Sequence, residues 1–388
     1  MKICLVHNQY GKFSGEESVV QGQAELLEFK GHSVSCFTRS SAEISGDFLG
    51  QVKAFFSGIY NPASVRQFKD FLSEEKPDLV HIHNLYPLIS PAILNVCRDY
   101  QLPVVMTVHN YRLVCPNGLF MVNANVCESC SGGKEYWCVL KNCENSIFKS
   151  IGYALRNTVA RVRRLYLDNV AVFAVLSEFQ RQKLIQEGFL AERITVVPNM
   201  SNPPEIIEND LGEHIGYVGR ISPEKGVETL VDAARICNDI PFQAAGRYEK
   251  MLSLVENAPN NLNFLGHLNQ SEVSIFLNHS QVYVMCSTCY EGFPAALVEA
   301  MLHGRPVIAS GHGGIPEVVE DGKTGLLFEP GNAEDLAQKI RYLWEHPELC
   351  REMGEAGREK ALREYSPEIY YKRLMAVYEK AIYHANAN

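Results

Sequence analysis

Two runs of short apolar segments alternating with helical ones constrain this chain more than any other feature. In the first run, KICLVH (2–7), HSVSCFT (32–38), DLVHIH (78–83), PVVMTVH (103–109), VAVFAVLS (170–177) and ITVVPN (194–199) read as strands. Between them lie helical patterns such as SGEESVVQGQAELLEFKG (14–31), SVRQFKDFLSEEKP (64–77), SPAILNVCRDYQ (90–101) and SEFQRQKLIQEGF (177–189). The second run starts at IGYVGR (215–220) and proceeds through FQAAG, LNFLG, VYVMCS, PVIAS and GLLFE, with GVETLVDAARICN, QSEVSIFLNHS and PAALVEAMLHG among its helices. Strands that alternate with helices build parallel sheets covered on both faces, with right-handed crossovers. NMSNPPEIIENDLGEH (199–214) lacks any period and reads as a linker. The expected organisation is therefore two α/β domains, 1–203 and 204–366, facing across a ligand cleft, with a helix over 367–388 returning to the first.

Composition removes several function classes. The 36 basic and 45 acidic residues give a net charge of −9, so nucleic acid is an unsuitable partner and any anion must be held locally. With 46% hydrophobic and 21% charged residues, the 388-residue chain is not disordered. Only a few apolar residues precede His7 and Asn8, too few for a secretory signal, and no run approaches the roughly 18 residues of a membrane span. The expectation is a cytoplasmic protein with scope for peripheral contact on the inner face of the cell membrane.

After the first strand, NQYGKFSGEES carries Gly15 at the start of a helix, where the backbone can approach an anion and first-turn amides point at it. This is not G-x-G-x-x-G, and no acidic residue is clearly placed to bind a nicotinamide ribose about 20 positions later, which argues against a dehydrogenase. Glu16 and Glu17 read either as favourable charge at a helix N-terminus or as part of a site. In the second half, Arg220 follows a strand and Lys225 precedes a helix, a fork and a point charge suited to a diphosphate. Glu291 and Glu299 stand eight apart around Pro294, the first in a loop and the second in the helix that follows, so both can border one elongated ligand.

With GRISPEKG, GRPVIAS and GGIPEVVEDGKTGLLF beside that E-x7-E stretch, the chain resembles glycosyltransferase family 4 over nearly its whole length. The resemblance implies the GT-B fold, two Rossmann-like domains facing across a cleft. It also implies a retaining, metal-independent enzyme that moves a hexosyl unit from a nucleoside diphosphate sugar to a saccharide or lipid-linked saccharide. Cell-surface polysaccharide or lipopolysaccharide synthesis is the implied setting, with no catalytic cofactor. By the same resemblance Gly15 closes over the donor diphosphate, Arg220 and Lys225 neutralise it, and Glu299 holds the ribose hydroxyls. Glu291 lies near the transferred sugar, either orienting it or acting as a nucleophile, and Phe293, Pro294, Ala295 and Ala296 border the donor. Asn199 and Ser177 match the end of the first domain and a ligand-lining turn. His109 either donates to a sugar or leaving oxygen or is a satisfied core residue. The family's usual Asp after this histidine is Asn110 here, and its glycine pair is Ser14 and Gly15. A sugar-nucleotide epimerase of related architecture is the alternative enzyme.

Three features fall outside these motifs. His7, His81 and His83 invite a metal reading, but alternation along HIHN places the last two on one face of a strand. Of twelve cysteines, Cys115, Cys127, Cys130, Cys138 and Cys143 crowd into one insertion, where four can surround a structural zinc or all remain reduced thiols, disulfides being the minor alternative. The insertion is expected to overhang the acceptor side. Finally, the long helical pattern over 145–169 mixes Lys149, Arg156, Arg161, Arg163 and Arg164 with apolar residues, suited either to an anionic membrane or to packing in the first domain.

Overall fold

A computed structural model describes residues 1–10, 15–44, 48–207, 210–249 and 251–386. The chain forms two compact units, one of Met1–Val122, Cys127–Pro198 and Tyr370–Asn388, the other of Asn123–Val126 and Asn199–Ile369.

The first unit runs β1 (Lys2–Gln9), α1 (Gly15–Phe29), β2 (Ser33–Ser40), α2 (Phe48–Ile59), α3 (Pro62–Glu75), β3 (Leu79–Asn84), α4 (Ile93–Asp99) and β4 (Val104–Val108). The cysteine insertion follows with the short strand β5 (Met121–Val122), then β6 (Asn125–Val126), whose residues are grouped with the second unit, and the helix α5 (Tyr136–Leu140). The series resumes with α6 (Ile147–Val162), α7 (Leu165–Asn169), β7 (Val172–Val175), α8 (Glu178–Gln186) and β8 (Ile194–Val196). Its six-stranded sheet has the order β2-β1-β3-β4-β7-β8, every pair parallel. All residues of β3, β4 and β7 are buried, as expected of central strands covered on both faces.

The second unit contains β9 (His214–Val218), α9 (Val227–Ile236), β10 (Phe242–Ala245), α10 (Leu252–Glu256), β11 (Leu262–Gly266), α11 (Gln270–Asn278) and β12 (Ser280–Met285). It continues with α12 (Ala295–Leu302), β13 (Val307–Ser310), α13 (Ile315–Val318), β14 (Gly325–Phe328), α14 (Ala333–Trp344) and α15 (Pro347–Tyr365). Its parallel order, β11-β10-β9-β12-β13-β14, is the doubly wound arrangement of dinucleotide-binding domains. The last helix, α16 (Pro367–Asn386), packs Leu374, Val377, Tyr378 and Ala381 in the first unit's interior.

The helical pattern over 145–169 is not one helix. It breaks between α6 and α7, where Arg164 adopts a left-handed conformation with φ of 51°.

Candidate active site

Open parallel sheets bind ligands beyond the carboxyl ends of their strands, where the strand order reverses. In the second unit that reversal lies between β9 and β12, and the loops leaving these strands carry Arg220, Lys225 and Glu291. Gly226, with φ of +63°, begins α9, and a Cβ there would lie 1.8 Å from the Cys286 carbonyl oxygen. Only glycine lets the two loops come this close. The Thr288 and Cys289 amides reinforce the approach by donating to the Glu224 carbonyl at 3.1 and 3.3 Å.

This apposition places Lys225 Nζ 2.6 Å from Glu291 Oε1, an oxygen that also accepts from the Ser287 hydroxyl. Burial works against both charges. At Glu291 the Lys225 ammonium and the Ser287 bond outweigh it and hold the carboxyl below its ordinary value. At Lys225 the Glu291 carboxylate likewise outweighs burial, so the amine stays protonated above its ordinary range. Arg220 is exposed, 3.2 Å from Glu224. Pro294 caps α12, leaving Ala295 exposed and Ala296 partly buried, while Phe293 packs edge-on against Tyr365 at 5.3 Å. Glu299 lies in the second turn of α12 and accepts from Gln270, and burial raises its carboxyl pKa. Lys225, Ser287 and Glu291 thus form one bonded group, with Glu299 tied to a different partner.

In the first unit the order reverses between β1 and β3. Gly15 opens α1, but Gly11 to Ser14 lie outside the described residues, so the expected phosphate-approach loop is not described. His109 follows β4, and its Nε2 is 2.8 Å from His83 Nδ1. Around the same strand ends stand Glu16 and Glu17, for which the sequence left a site role open, and Tyr10 and Arg112, which the motifs did not single out. Glu17 accepts from the Tyr10 amide at 2.6 Å, and Glu16 accepts from the Tyr10 hydroxyl at 3.0 Å. Arg112 donates to that hydroxyl at 3.0 Å. Both carboxylates therefore do more than favour a helix N-terminus. Burial raises the Glu16 pKa to about 7 against the opposing pull of Arg112. Burial also lowers His7 to about 4, so its 3.7 Å approach to Glu16 is that of a neutral ring. The adjacent "NYR" after His109 was the only available signal for Arg112, about a hundred residues from Tyr10.

His81 and His83 do share a face of β3, their rings stacked at 4.5 Å. Among the described residues no group of three or more His, Cys, Asp or Glu is disposed to hold a metal. In the insertion, Cys130 and Cys138 are buried with Ala154, with Trp137, Val139 and Cys143 packed alongside. Cys115 donates to Asn117 at 3.0 Å, and Lys141 Nζ lies 3.3 Å from Cys127 Sγ. Among the described residues no helix is long and apolar enough to cross a membrane.

Comparison with known proteins matches residues 13–203 to Glycosyltransferase Family 4 and residues 201–360 to Glycosyl transferases group 1. An uncharacterized glycosyltransferase of Methanocaldococcus jannaschii is 35% identical over 196 residues, 49% of this chain and 55% of the relative, so the chain spans little more than half of that protein. An uncharacterized 42.6 kDa protein in the cps region of Klebsiella pneumoniae is 26% identical over 352 residues, 82% of this chain and 87% of the relative. Among solved structures, sucrose-phosphate synthase from Thermosynechococcus elongatus superposes with a TM-score of 0.75 at 21% identity, covering 98% of each chain. Anabaena HepE, solved with UDP and glucose, gives a TM-score of 0.69 at 19% identity over 98% of this chain and 99% of the other. With both units doubly wound and the two family matches together running from residue 13 to residue 360, the chain is a GT-B-fold glycosyltransferase related to Family 4 and group 1.

Proposed function

We propose that this protein is a retaining, metal-independent glycosyltransferase that moves a hexosyl unit from a nucleoside diphosphate sugar to a saccharide or lipid-linked saccharide in cell-surface polysaccharide synthesis. The observation that carries the reading is the Lys225–Glu291 pair at the strand-order reversal of the second unit. UDP and glucose in HepE, and the cps-region setting of the Klebsiella relative, support the donor class and the biological setting.

Breaking the anomeric bond develops negative charge on the departing diphosphate. Lys225 and Arg220 stabilise that charge where it grows, and so favour the transition state over the ground state. Glu291, kept ionised by Lys225, orients the sugar, while Glu299 holds the ribose and Gly15 borders the phosphates. Phe293, Pro294, Ala295 and Ala296 border the donor, although Pro294 has no N–H to give. His109 bonds a sugar or leaving oxygen, and the diphosphate oxygen takes the acceptor proton. The protein acts in the cytoplasm, in peripheral contact with an anionic membrane through α6. No chemical step is assigned to the cysteine insertion, and elemental analysis of the reduced protein separates its two readings, about one zinc per chain against none.

The test is a panel of UDP- and GDP-sugars with saccharide and lipid-linked acceptors, assayed before and after exhaustive EDTA treatment. The expected product keeps the donor's anomeric configuration by NMR, at a rate unchanged by EDTA. Inverted product, epimerised donor without transfer, or loss of turnover restored only by magnesium or manganese refutes the corresponding part of the proposal.

A further inference from the structure

Three histidines form a column in the first unit. His81 and His83 lie two apart on β3 with stacked rings, and His83 stacks in turn on His109 with ring centres 5.1 Å apart. Burial keeps all three neutral, lowering His81 and His109 to about 3 and His83 well below its ordinary value. A neutral imidazole carries a single N–H, so each hydrogen bond fixes which nitrogen holds it.

At His81 both ring nitrogens are partnered, Nδ1 by Gln23 Nε2 at 2.9 Å and the Tyr378 hydroxyl at 2.8 Å, and Nε2 by Thr107 Oγ1 at 2.7 Å. At His83 the unpaired atom decides. Its Nδ1 faces His109 Nε2, while its Nε2 is buried without a hydrogen-bond partner among the described residues. Stranding an N–H there is the costlier choice, since buried donors without acceptors are rarer than acceptors left unused. His83 therefore carries its proton on Nδ1 and donates it to His109 Nε2.

We propose that His83 is a positioning residue that locks His109 in its Nδ1–H tautomer, so that His109 offers the sugar or leaving oxygen a hydrogen-bond donor and not a base. His109 is partly exposed and lines a small pocket together with His83, Asn84, Tyr86, Asn110 and Arg112, so its ring can meet a ligand oxygen. An N–H donor can bond an oxygen lone pair but cannot take the acceptor's proton, which leaves that proton to the diphosphate oxygen. The functional half of this inference rests on the placement of His109 in the active site; the tautomer itself does not.

The full-length protein labelled with ¹⁵N in its histidine rings gives the test, with the His109 signals identified by their loss in His109→Ala. Wild type should show His109 protonated on Nδ1 and bare on Nε2. His83→Phe keeps a ring to stack but removes the donor, so His109 should shift toward Nε2–H. In the transfer assay this variant should lose on the order of 10²-fold in kcat, the scale for loss of a preorganised hydrogen-bond donor to the transition state, with little change in donor KM. His83→Asn places an amide N–H where Nδ1–H lay and should restore both the tautomer and most of the turnover. Wild-type His109 protonated on Nε2, or a His83→Phe protein whose His109 tautomer is unchanged, overturns the proposal. An unchanged kcat in His109→Ala instead overturns the active-site role of His109 and leaves the tautomer assignment standing.

Discussion

Lys225 is placed so that one residue can serve two tasks. Its ammonium holds the Glu291 carboxylate ionised, and it stands at a sheet edge suited to a diphosphate. Lys225→Ala should lower transfer by about 10²-fold or more, as removal of a preorganised transition-state donor does, and an unchanged rate at both low and saturating donor would rule out the role. Glu16 supplies a pH-dependent counterpart. Its carboxyl titrates near 7 when folded against 4.5 when unperturbed, chiefly through burial, so the folded chain binds the extra proton between those values. A group of this sign stabilises the fold at low pH, and its contribution falls as pH rises through that window, by about 1.4 kcal/mol per unit and hence about 3 kcal/mol in all. Glu16→Gln should remove this dependence, gaining stability relative to wild type from pH 5 to pH 8 in urea unfolding. A constant difference across that range contradicts the assignment. Neither the Glu16 pKa nor its partners were legible in the sequence. Two adjacent acids at a helix start look alike whether they face solvent or a tyrosine and a partly buried arginine brought in from residue 112.

At the scale of elements, the sequence was most informative where strands were buried on both faces. VVMTV is apolar enough to be read without its neighbours, LVHIHN is read from its apolar start and its place between helical patterns, and every residue of both is buried. Helix α6 shows what the pattern withholds. A periodic apolar stripe says that two faces differ, not which face is inside. Here Ser150, Gly152, Ala154, Arg156, Asn157 and Ala160 are buried, whereas Ile147, Phe148, Ile151, Leu155 and Val162 are exposed. Small residues face inward because α2 crosses closely, and a Cβ on Gly152 would meet the Phe55 ring at 2.6 Å. The break at Arg164 was equally hidden, since arginine is a good helix former and its positive φ is set by tertiary context. In a chain of net charge −9, α6 contains no acidic residue. Contrary to the sequence expectation, Arg156 is buried over the Tyr86 ring, and Arg161 and Arg164 pair with Glu135 and Asp168, so it is the exposed apolar stripe with Lys149 and Arg163 that suits anionic lipid. Vesicles containing phosphatidylglycerol should bind the protein, phosphatidylcholine vesicles should not, and Ile151→Glu with Leu155→Glu should abolish binding while leaving the melting temperature close to wild type. Equal binding of the double variant removes α6 from the contact.

At the scale of the whole molecule, the chain's last helix completes its first domain. Tyr370 donates to Gln23 across 347 positions of sequence, the Tyr378 hydroxyl lies 2.8 Å from His81 Nδ1, and Tyr371 pairs with His32 at 2.9 Å. The return of this segment was legible as a terminal helical pattern, but its partners were not, because nothing local distinguishes a tyrosine aimed at Gln23 from one in solvent. Leu374, Val377, Tyr378 and Ala381 are almost fully buried. Large apolar side chains lose about 1.5–3 kcal/mol each when such burial is removed, and three of them approach the total stability of a typical domain. A chain ending at Ile369 should therefore lose the first unit's protease resistance while the second unit, which holds Lys225, Glu291 and Glu299, keeps the affinity for a nucleoside diphosphate proposed for the intact protein. Tyr378→Phe sacrifices one hydroxyl but keeps the ring, so it should cost only about 1 kcal/mol and preserve both properties. Limited proteolysis with mass mapping, paired with calorimetric titration of UDP or GDP, separates the outcomes. If the truncated chain keeps residues 1–198 as resistant as in wild type, α16 is an appendage and not a structural part of the first unit. If nucleotide binding disappears with the helix, the donor site is not confined to the second unit.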